Sequence, residues 1–463
     1  MVSETSKRAC AISDSLSDSS SDSASALARS TSARQLSPAV FIPTLYFVSG
    51  LPNALVTLVS IVLYKNFGES NIFIGQVTST LSLAWVFKFC WAPLVDLYGR
   101  KNQWICAVQL ILGLLSLALA ASLYTTHFVL VSIVLFGLMA LVSATQDVAI
   151  DGYYLEILDK QQQSFYVGVR SAVFKLAWLF GQGALVFIAG WLASQSQFGL
   201  GVKGGWAVAF GLSAVIFLAG GLTHLGLPFK ARAMAASDRS EKSQNPEPKS
   251  SAKFDFSEFG RAFVSFFDQP GIIAIVLYAC IFRLGDALML KMAMPFLLDP
   301  VAKGGLALET QQVALIYGGV GVGFLLVGGL VGSFLVSKFG LKKMLMPTAI
   351  FQNSAILLYY LLSLNPPSVP LVAVCNAIEQ FAYGLGVSAY MVFLMRTVNP
   401  RYPQFKAGHY AIVTAFMAAG NIIPGFFSGN LQTAVGYQNF FLISFLAAIP
   451  GMMIIRSLPL NDE

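Results

Sequence analysis

The chain has 463 residues, of which 56% are apolar and only 11% are charged, and its mean hydropathy is +0.69. A soluble domain carries roughly 25% charged residues, so this composition excludes an ordinary soluble protein and indicates a polytopic membrane protein with about a dozen helices. The net charge of +7 comes from basic residues scattered near the ends of apolar segments, which excludes a nucleic-acid-binding face. The five cysteines have neither paired nor metal-ligand spacing, and we expect no metal and no cofactor.

The apolar segments form two groups of six that are separated by a polar stretch. Residues 1–37 are rich in Ser, Ala and Asp, and we expect them to form a disordered cytoplasmic tail. We predict a six-helix bundle over 38–228, a cytoplasmic linker over 229–270, a second six-helix bundle over 271–457 and a short tail over 458–463. The predicted spans lie at 39–64, 71–96, 103–123, 128–157, 166–195, 206–227, 272–298, 312–337, 344–364, 369–396, 404–430 and 434–456. The predicted fold is therefore an all-α polytopic membrane protein with twelve transmembrane helices in two six-helix halves.

The distribution of Lys and Arg predicts how the chain crosses the membrane. With the amino terminus inside, the outward loops hold only Lys65, Lys203 and Lys303. The inward tail, loops and carboxyl end hold Lys7, Arg8, Arg29, Arg34, Arg100, Lys101, Lys160, Lys338, Lys342, Lys343, Arg396, Arg401, Lys406 and Arg456, besides the basic residues of the linker. Cytoplasmic loops carry the excess of Lys and Arg, so we expect both termini in the cytoplasm.

One short motif recurs in corresponding places of the two halves. Asp96-Leu-Tyr-Gly99-Arg100-Lys101 follows the second span, and Ser337-Lys-Phe-Gly340-Leu-Lys342-Lys343 follows the eighth. With the layout of six plus six spans, this repeat resembles the major facilitator pattern of two related helix bundles around a central path. In that superfamily an acid at the helix end and the following basic residues latch the inward gate. The resemblance implies this role for Asp96, Gly99, Arg100 and Lys101, whereas Ser337 departs from the acid in the second copy.

Charged residues at membrane depth are the main candidates for function. Asp147 and Asp151 are four residues apart, which places them on one face of a helix and one turn apart. Counting outward from the turn between the fourth and fifth spans puts Asp151 level with Arg170, and Asp147 level with Lys175. At most one of these pairs can align directly across the hairpin, because residues five apart do not share a helix face. Such carboxylates mark a proton or substrate path, and the alternative is a structural ion pair that makes two buried charges tolerable.

The remaining intramembrane charges extend this polar region into the second half. We predict proton coupling by Asp147, Asp151, Asp286 and Glu379, and Glu379 is the acid with the least obvious partner. Arg283 and Asp286 are three residues apart, and a local ion pair is their alternative role. We predict substrate binding by Lys88, Gln146, Tyr153, Arg170, Lys175, Arg283, Lys291, Gln380 and Tyr383. The basic members of this set suit an anionic substrate, while core packing is the alternative for the aromatic members.

Two glycine-rich runs lie in the eighth span, at Gly318–Gly323 and Gly328–Gly332. No strand precedes them, and no Gly-Lys-Ser or Gly-Lys-Thr follows them, so a nucleotide-binding loop is excluded. Small residues allow helices to approach closely in a membrane, and we predict close helix contacts or bending points at both runs.

Several longer motifs resemble those of the AmpG-type muropeptide permeases, a branch of the major facilitators. The motifs are Leu51-Pro52, Lys88-Phe-Cys-Trp91-Ala-Pro93-Leu-Val-Asp96, Ala144-Thr-Gln-Asp147-Val-Ala-Ile-Asp151, Arg283-Leu-Gly285-Asp286-Ala, and Glu379 followed by Gly384 and Gly386. Together they cover nearly the whole membrane region. The resemblance implies proton-driven import of anhydromuropeptides, which are sugar–peptide fragments from cell-wall turnover, with the four acids on the polar path and Lys88 among the positive contacts. Two features depart from the family pattern, namely Arg283 in place of lysine and a longer Ser- and Lys-rich linker.

The leading hypothesis is a proton-coupled secondary transporter that works by alternating access and imports a polar or anionic small molecule, with a muropeptide-like cargo as first choice. The alternative cargo is a siderophore or another metabolite, with export as a second direction. A polytopic membrane transferase is disfavoured because the acids lie within spans, and a channel is disfavoured because no repeated selectivity ring is present. We therefore expect no enzymatic activity, a small-molecule substrate, protons as the coupling ion, a monomer, and a location in the bacterial inner membrane.

Overall fold

The structure is a computed structural model that describes residues 37–97, 100–227, 256–365, 367–397, 399, 401–402 and 406–460. Within these ranges the chain is helical and contains no strand. Ten of the described helices are long and apolar enough to cross a membrane, and Asn71–Phe87 is a shorter apolar helix. In chain order the helices are α1 (Pro38–Asn66), α2 (Asn71–Phe87), α3 (Lys101–Ser122), α4 (Phe128–Ile157), α5 (Gln161–Ser194), α6 (Gly201–Gly226), α7 (Phe256–Phe267), α8 (Ile272–Leu298), α9 (Thr310–Phe339), α10 (Leu341–Leu364), α11 (Val369–Arg396) and α12 (Lys406–Ile454).

Helix α12 contains two spans. It is 49 residues long, and Gly436 inside it has φ 75° and ψ 167°. Glycine takes this backbone conformation readily because it has no Cβ, so the helical path is interrupted at this residue. With α2 as the second span and α12 counted as two, the described helices supply twelve spans, which is the predicted number.

Several spans are irregular at positions where sequence periodicity gives no warning. Wider π-helical turns occur at Leu55–Val59 in α1, Phe180–Leu185 in α5 and Ala314–Gly321 in α9. Helix α8 is broken at Arg283, which has φ −91° and ψ 8°. Beyond α2, a 3-10 turn at Lys88–Cys90 continues the second span. Such irregular turns are frequent at functional sites of membrane proteins, where surrounding protein satisfies the backbone.

Glycine contacts bring α9 against α5 and α11. A Cβ on Gly318 would lie 2.4 Å from both the backbone carbonyl carbon of Gln182 and the backbone nitrogen of Gly183. A Cβ on Gly328 would lie 2.0 Å from the carbonyl oxygen of Phe381. Only a residue without a side chain fits at either position, and the prediction of close helix contacts at the two glycine runs is confirmed.

Helix α7 lies inside the segment that the sequence predicts to be a polar linker. Its Phe266 is buried, whereas Phe263 and Phe267 are exposed. The side-chain amide of Asn399 donates to the carbonyl oxygens of Ser265 at 2.9 Å and Asp268 at 2.6 Å, which ties the end of α7 to the segment after α11. With only 12 residues, α7 is too short to be recognised as a span. Nearly all of the predicted amino-terminal tail and the first part of the predicted linker, residues 229–255, lie outside the described residues.

Candidate functional site

A central cavity of about 620 Å³ lies between helices from the two parts of the chain. Its wall includes residues of α1, α2 and α5 on one side and of α8, α9, α11 and α12 on the other. Three of the predicted substrate-binding cations, Lys88, Arg283 and Lys291, line it, and none of its described lining residues is Asp or Glu. The arrangement is therefore suited to an anion, because no carboxylate of the described wall competes for these cations.

Aromatic and amide side chains complete the wall of the central cavity. Trp85, Trp178, Tyr317, Tyr383 and Gln380 all line it. The guanidinium of Arg283 donates to the hydroxyl of Tyr383 and lies 5.5 Å from the centre of its ring. The indole nitrogen of Trp178 and the Nε of Arg283 have no hydrogen-bond partner among the described residues. The wall thus presents flat apolar faces together with unused donors, which is the usual composition of a small-molecule site.

Lys291 connects the two sides of the cavity. Its ammonium donates to the hydroxyl of Thr78, with 3.0 Å between Nζ and Oγ1. Thr78 belongs to α2 and Lys291 to α8, so the hydrogen bond crosses the cavity wall from one part of the chain to the other. A hydroxyl does not neutralise the ammonium, which leaves its positive charge for a ligand.

A second, smaller cavity of about 350 Å³ lies among α1, α4 and α5. Asp147, Asp151, Arg170 and Lys175 all line it. Arg170 is 3.4 Å from a carboxylate oxygen of Asp151, and the hydroxyl of Tyr46 donates to the same carboxylate at 2.9 Å. The structure therefore gathers four of the predicted site residues beside the central cavity rather than in its wall.

The predicted depth matches between α4 and α5 are confirmed in part. Asp151 and Arg170 form the ion pair that counting along the hairpin predicts. Asp147 instead accepts a hydrogen bond of 2.6 Å from Ser49, and its level partner Lys175 points its ammonium at the ring of Trp178, 3.9 Å from the centre. One aligned pair is what the helical geometry allows, because Arg170 and Lys175 are five residues apart and face different ways.

Asp286 and Glu379 are buried and line neither cavity. The side-chain amide of Gln352 donates to Asp286, and that of Gln380 donates to Glu379 with 2.8 Å between nitrogen and oxygen. Neither acid has a cation within ion-pair distance among the described residues, and Arg283 hydrogen-bonds Tyr383 instead of forming the local pair considered for Asp286. Each of these two buried carboxyl groups thus accepts a hydrogen bond from one side-chain amide among the described residues.

Two other predicted substrate contacts lie away from both cavities. Gln146 is fully buried in α4, and neither atom of its amide has a partner among the described residues. Tyr153 is buried against the ring of Phe41, with 5.8 Å between the ring centres. For Tyr153 this is the core-packing role that the sequence leaves open.

The predicted gating residues are only partly described. Lys101 forms an ion pair of 2.5 Å with Glu156, which joins the start of α3 to the end of α4, and Arg100 is exposed. Gly99 and the side chain of Asp96 lie outside the described part of the chain. The sequence places Glu156 near the end of its span, but does not identify it as the partner of Lys101.

The opposite end of the molecule contains a buried polar network that the sequence does not reveal. Lys65 lies 2.6 Å from Asp299, whose other carboxylate oxygen accepts from Tyr437 at 2.6 Å and from Asn71 at 3.2 Å. The amide of Asn71 also donates to Gln432 at 2.7 Å. These five residues, here called the Asp299 network, join α1 and α2 to the segment after α8 and to α12. In the sequence, this network is represented by an isolated Lys and an isolated Asp at the ends of apolar spans. Charged residues are expected at span ends in any membrane protein, so these two do not point to a network.

Both the sequence and the fold resemble those of known transporters. Residues 44–402 match the family model described as Major Facilitator Superfamily. The chain is similar to the anhydromuropeptide permease of Escherichia coli K12, with 26% identity over 416 residues that cover 88% of this chain and 77% of the relative. It is also 26% identical over 427 residues to a Rickettsia conorii protein named as an AmpG transporter, covering 89% of this chain and 94% of the relative. Among solved structures, a bacterial homologue of the human lysosomal transporter Spinster, in an inward-facing and unoccupied conformation, gives a TM-score of 0.69 with 14% identity, covering 90% of this chain and 96% of the other.

Proposed function

Because this chain belongs to the Major Facilitator Superfamily, we propose that it is a proton-coupled transporter that imports an anionic small molecule, with an anhydromuropeptide as first choice. The family match confirms the predicted fold class and the resemblance to AmpG-type permeases. The chain is an integral, multi-pass membrane protein and a secondary transporter rather than an enzyme. The cargo, its coupling to protons and the orientation in the membrane make up the proposal.

The single observation that carries the proposed cargo class is the lining of the central cavity. Lys88, Arg283 and Lys291 supply positive charge from both sides, and no described lining residue is acidic. Trp178 and Tyr383 provide flat faces on which a sugar ring can lie. An anhydromuropeptide combines sugar rings with peptide carboxylates, and its chemistry therefore matches both properties of the wall. The relative from Escherichia coli bears the name of that cargo.

The proposed proton coupling is assigned to the four intramembrane carboxyl groups, of which Asp286 and Glu379 are buried. Asp286 and Glu379 each have only an amide donor, while Asp147 accepts from a hydroxyl and Asp151 pairs with Arg170. An ionisable group inside a membrane protein is costly, and those that persist commonly relay protons. Asp147, Asp286 and Glu379 are not held in an ion pair with a described cation, and Glu379 and Asp147 are the first candidates among them.

The proposed orientation follows the excess of Lys and Arg. Both termini lie in the cytoplasm, in a bacterial inner membrane, so the end that carries the Asp299 network faces outward. The end that carries Lys101 and Glu156 then faces the cytoplasm, where Asp96, Gly99, Arg100 and Lys101 act as the inward latch. The two six-helix halves, over 38–228 and 271–457, alternate access to the cavity within a monomer.

Uptake by purified protein in liposomes tests the proposed function. Vesicles with an imposed proton gradient receive labelled anhydromuropeptide in one arm and a labelled ferric siderophore in the other. We expect accumulation of the anhydromuropeptide that collapses when an uncoupler is added. Accumulation of the siderophore alone would replace the cargo and retain the coupling, and accumulation that an uncoupler does not change would contradict proton coupling.

A further inference from the structure

Helix α7 carries a patch of exposed apolar side chains, here called the α7 patch. It consists of Phe263, Val264 and Phe267, which are 44%, 69% and 39% exposed. Phe267 follows the other two by four and three positions, so all three side chains point to one face of the helix. The rings of Phe263 and Phe267 lie 5.1 Å apart, centre to centre. Exposed apolar side chains that cluster in this way mark a surface that contacts a partner.

The other sides of α7 have a different character. Ser265 and Phe266 are buried against the bundle, whereas Arg261 is exposed. Because successive helical residues are turned by about 100°, Arg261 falls between the α7 patch and the buried side. The helix therefore has one side for the protein, one apolar side and one charged side. This is the pattern of amphipathic helices that lie at the boundary between membrane and water.

The α7 patch is close to a surface that contacts lipid. Only residues 268–271 separate Phe267 from the span α8, and Gly271, with φ 74°, turns the chain into it. The steps from Phe267 to Ile272 reach at most roughly 18 Å. Ile273 and Leu277, one turn apart on α8, are exposed, and exposed apolar side chains of a span face the acyl chains. The α7 patch thus continues the lipid-facing surface of α8.

The buried side of α7 is tied to the start of α12. The hydroxyl of Ser265 lies 2.9 Å from Nε2 of His409, and the rings of Phe266 and His409 are 5.8 Å apart, centre to centre. The Nδ1 of His409 accepts from the backbone N–H of Asn399 at 3.3 Å. The side-chain amide of Asn399 in turn donates to the carbonyl oxygens of Ser265 and Asp268. The position of α7 therefore determines where α12 begins.

We propose that α7 lies along the membrane surface with the α7 patch inserted among lipid acyl chains, and that it thereby holds the start of α12 at a fixed depth. The partner is the bilayer rather than a second copy of the chain, because the α7 patch continues the lipid-facing surface of α8. This inference goes beyond the proposed function, since it requires neither a particular cargo nor coupling to protons.

The depth of a spin label tests the membrane contact. One cysteine replaces Val264 in a cysteine-free carrier, which is labelled and placed in nanodiscs of phosphatidylethanolamine and phosphatidylglycerol. Oxygen concentrates among acyl chains, whereas a nickel chelate stays in water, so their collisions with the label report its depth. We expect Val264→Cys to favour oxygen, at a depth of about 5–10 Å. Arg261→Cys, one turn earlier on the charged side, is the matched control and should favour nickel.

Two outcomes of this measurement would overturn the inference. A label at position 264 that meets nickel as often as the label at position 261 would place the α7 patch in water. A label that is shielded from both oxygen and nickel would mean that protein covers the patch, either a second copy of the chain or another segment of the linker. The experiment needs no transport, so its result is independent of whether the proposed function is correct.

Hydrogen–deuterium exchange tests the connection to α12. Val264→Asp puts a charge on the α7 patch, and Val264→Leu, which keeps the patch apolar, is the matched control. We expect the amides in the first two turns of α12 to exchange faster in Val264→Asp, by up to about fivefold, because a charge near the membrane boundary costs up to about 1 kcal/mol. Val264→Leu should exchange at the rate of the unaltered protein. Equal rates in the two variants would overturn the role of α7 in holding α12, and the label would still decide the membrane contact.

Discussion

Removal of the Asp299 carboxylate should open the outer end of the carrier. In Asp299→Asn, the ammonium of Lys65, whose side chain is only 10% exposed, loses a counter-charge at 2.6 Å, and Tyr437 and Asn71 lose a charged acceptor. Deletion of one partner of a buried ion pair costs about 3–5 kcal/mol. The amide oxygen of the new side chain still accepts one hydrogen bond, so we take the lower value, and ~3 kcal/mol corresponds to about a hundredfold shift from the closed toward the open state.

The assay is labelling of one cysteine that replaces Asn53 in a cysteine-free protein. Asn53 lines the central cavity, and a membrane-impermeant maleimide added outside right-side-out vesicles reaches it only through the outer end. We expect a labelling rate that rises by up to about a hundredfold in Asp299→Asn. Asp268→Asn is the matched control, because Asp268 is exposed and lies 3.8 Å from exposed Arg401, and such pairs contribute about 0–1 kcal/mol.

The double variant Lys65→Gln with Asp299→Asn sharpens this test. It removes both charges, so no buried charge is left unpaired, and its outer end should be less open than that of either single variant. Labelling of the Asp299→Asn protein at the rate of the unaltered carrier would refute the gating role of the network. Equal labelling in the single and double variants would show that the ion pair itself contributes nothing.

Three further changes have distinct expected outcomes. Gly318→Ala should block transport or destabilise the protein by about 1–3 kcal/mol, because the new methyl would lie 2.4 Å from the backbone of Gln182. Gly319→Ala is the matched control and should be tolerated, because its Cβ would have its nearest neighbour at 3.9 Å. Uptake and thermal unfolding of both variants check this prediction. Glu379→Gln and Asp147→Asn should each abolish proton-driven uptake while exchange of cargo between preloaded vesicles continues, and full pH dependence in both variants would exclude these two acids as the coupling groups. Asp151→Asn should lower the free energy of unfolding by no more than about 1 kcal/mol, because the Asp151 side chain is 48% exposed beside Arg170; a larger loss would mean that the pair is a structural requirement.

The fold could be predicted from the sequence because its determinants are local. Twenty apolar residues in a row must be helical in a membrane, and no tertiary contact is needed to count them. The Asp151–Arg170 pair could be predicted for a similar reason, since a short hairpin and a fixed rise per residue determine which residues are level. The sequence predicts a polar linker where α7 lies, because a helix of 12 residues is too short to be recognised as a span. The burial of Phe266 beside the exposed Phe263 depends on tertiary contacts that the sequence does not show.

The arrangement of the site could be predicted only in outline. Residue types and depth predict substrate contacts at Lys88, Arg283 and Lys291, but they cannot show that these residues line one cavity while Asp147 and Lys175 line another. That division depends on how helices rotate about their axes after π turns and breaks, which have no clear sequence signature. The Asp299 network joins residues more than 200 positions apart, and isolated polar residues at span ends give no information about such partners.

The positive lining of the central cavity gives the carrier an electrical character. Alternating access presents Lys88, Arg283 and Lys291 first to one side of the membrane and then to the other, so part of their charge moves through the membrane potential whenever the empty cavity turns over. One elementary charge that crosses the whole potential changes the free energy by about 2.3 kcal/mol per 100 mV. A negative interior therefore holds the empty cavity toward the cytoplasm and resists its return. The proposed anionic cargo would cancel this charge, so the loaded step would be nearly independent of voltage and the empty return would be the step that carries current.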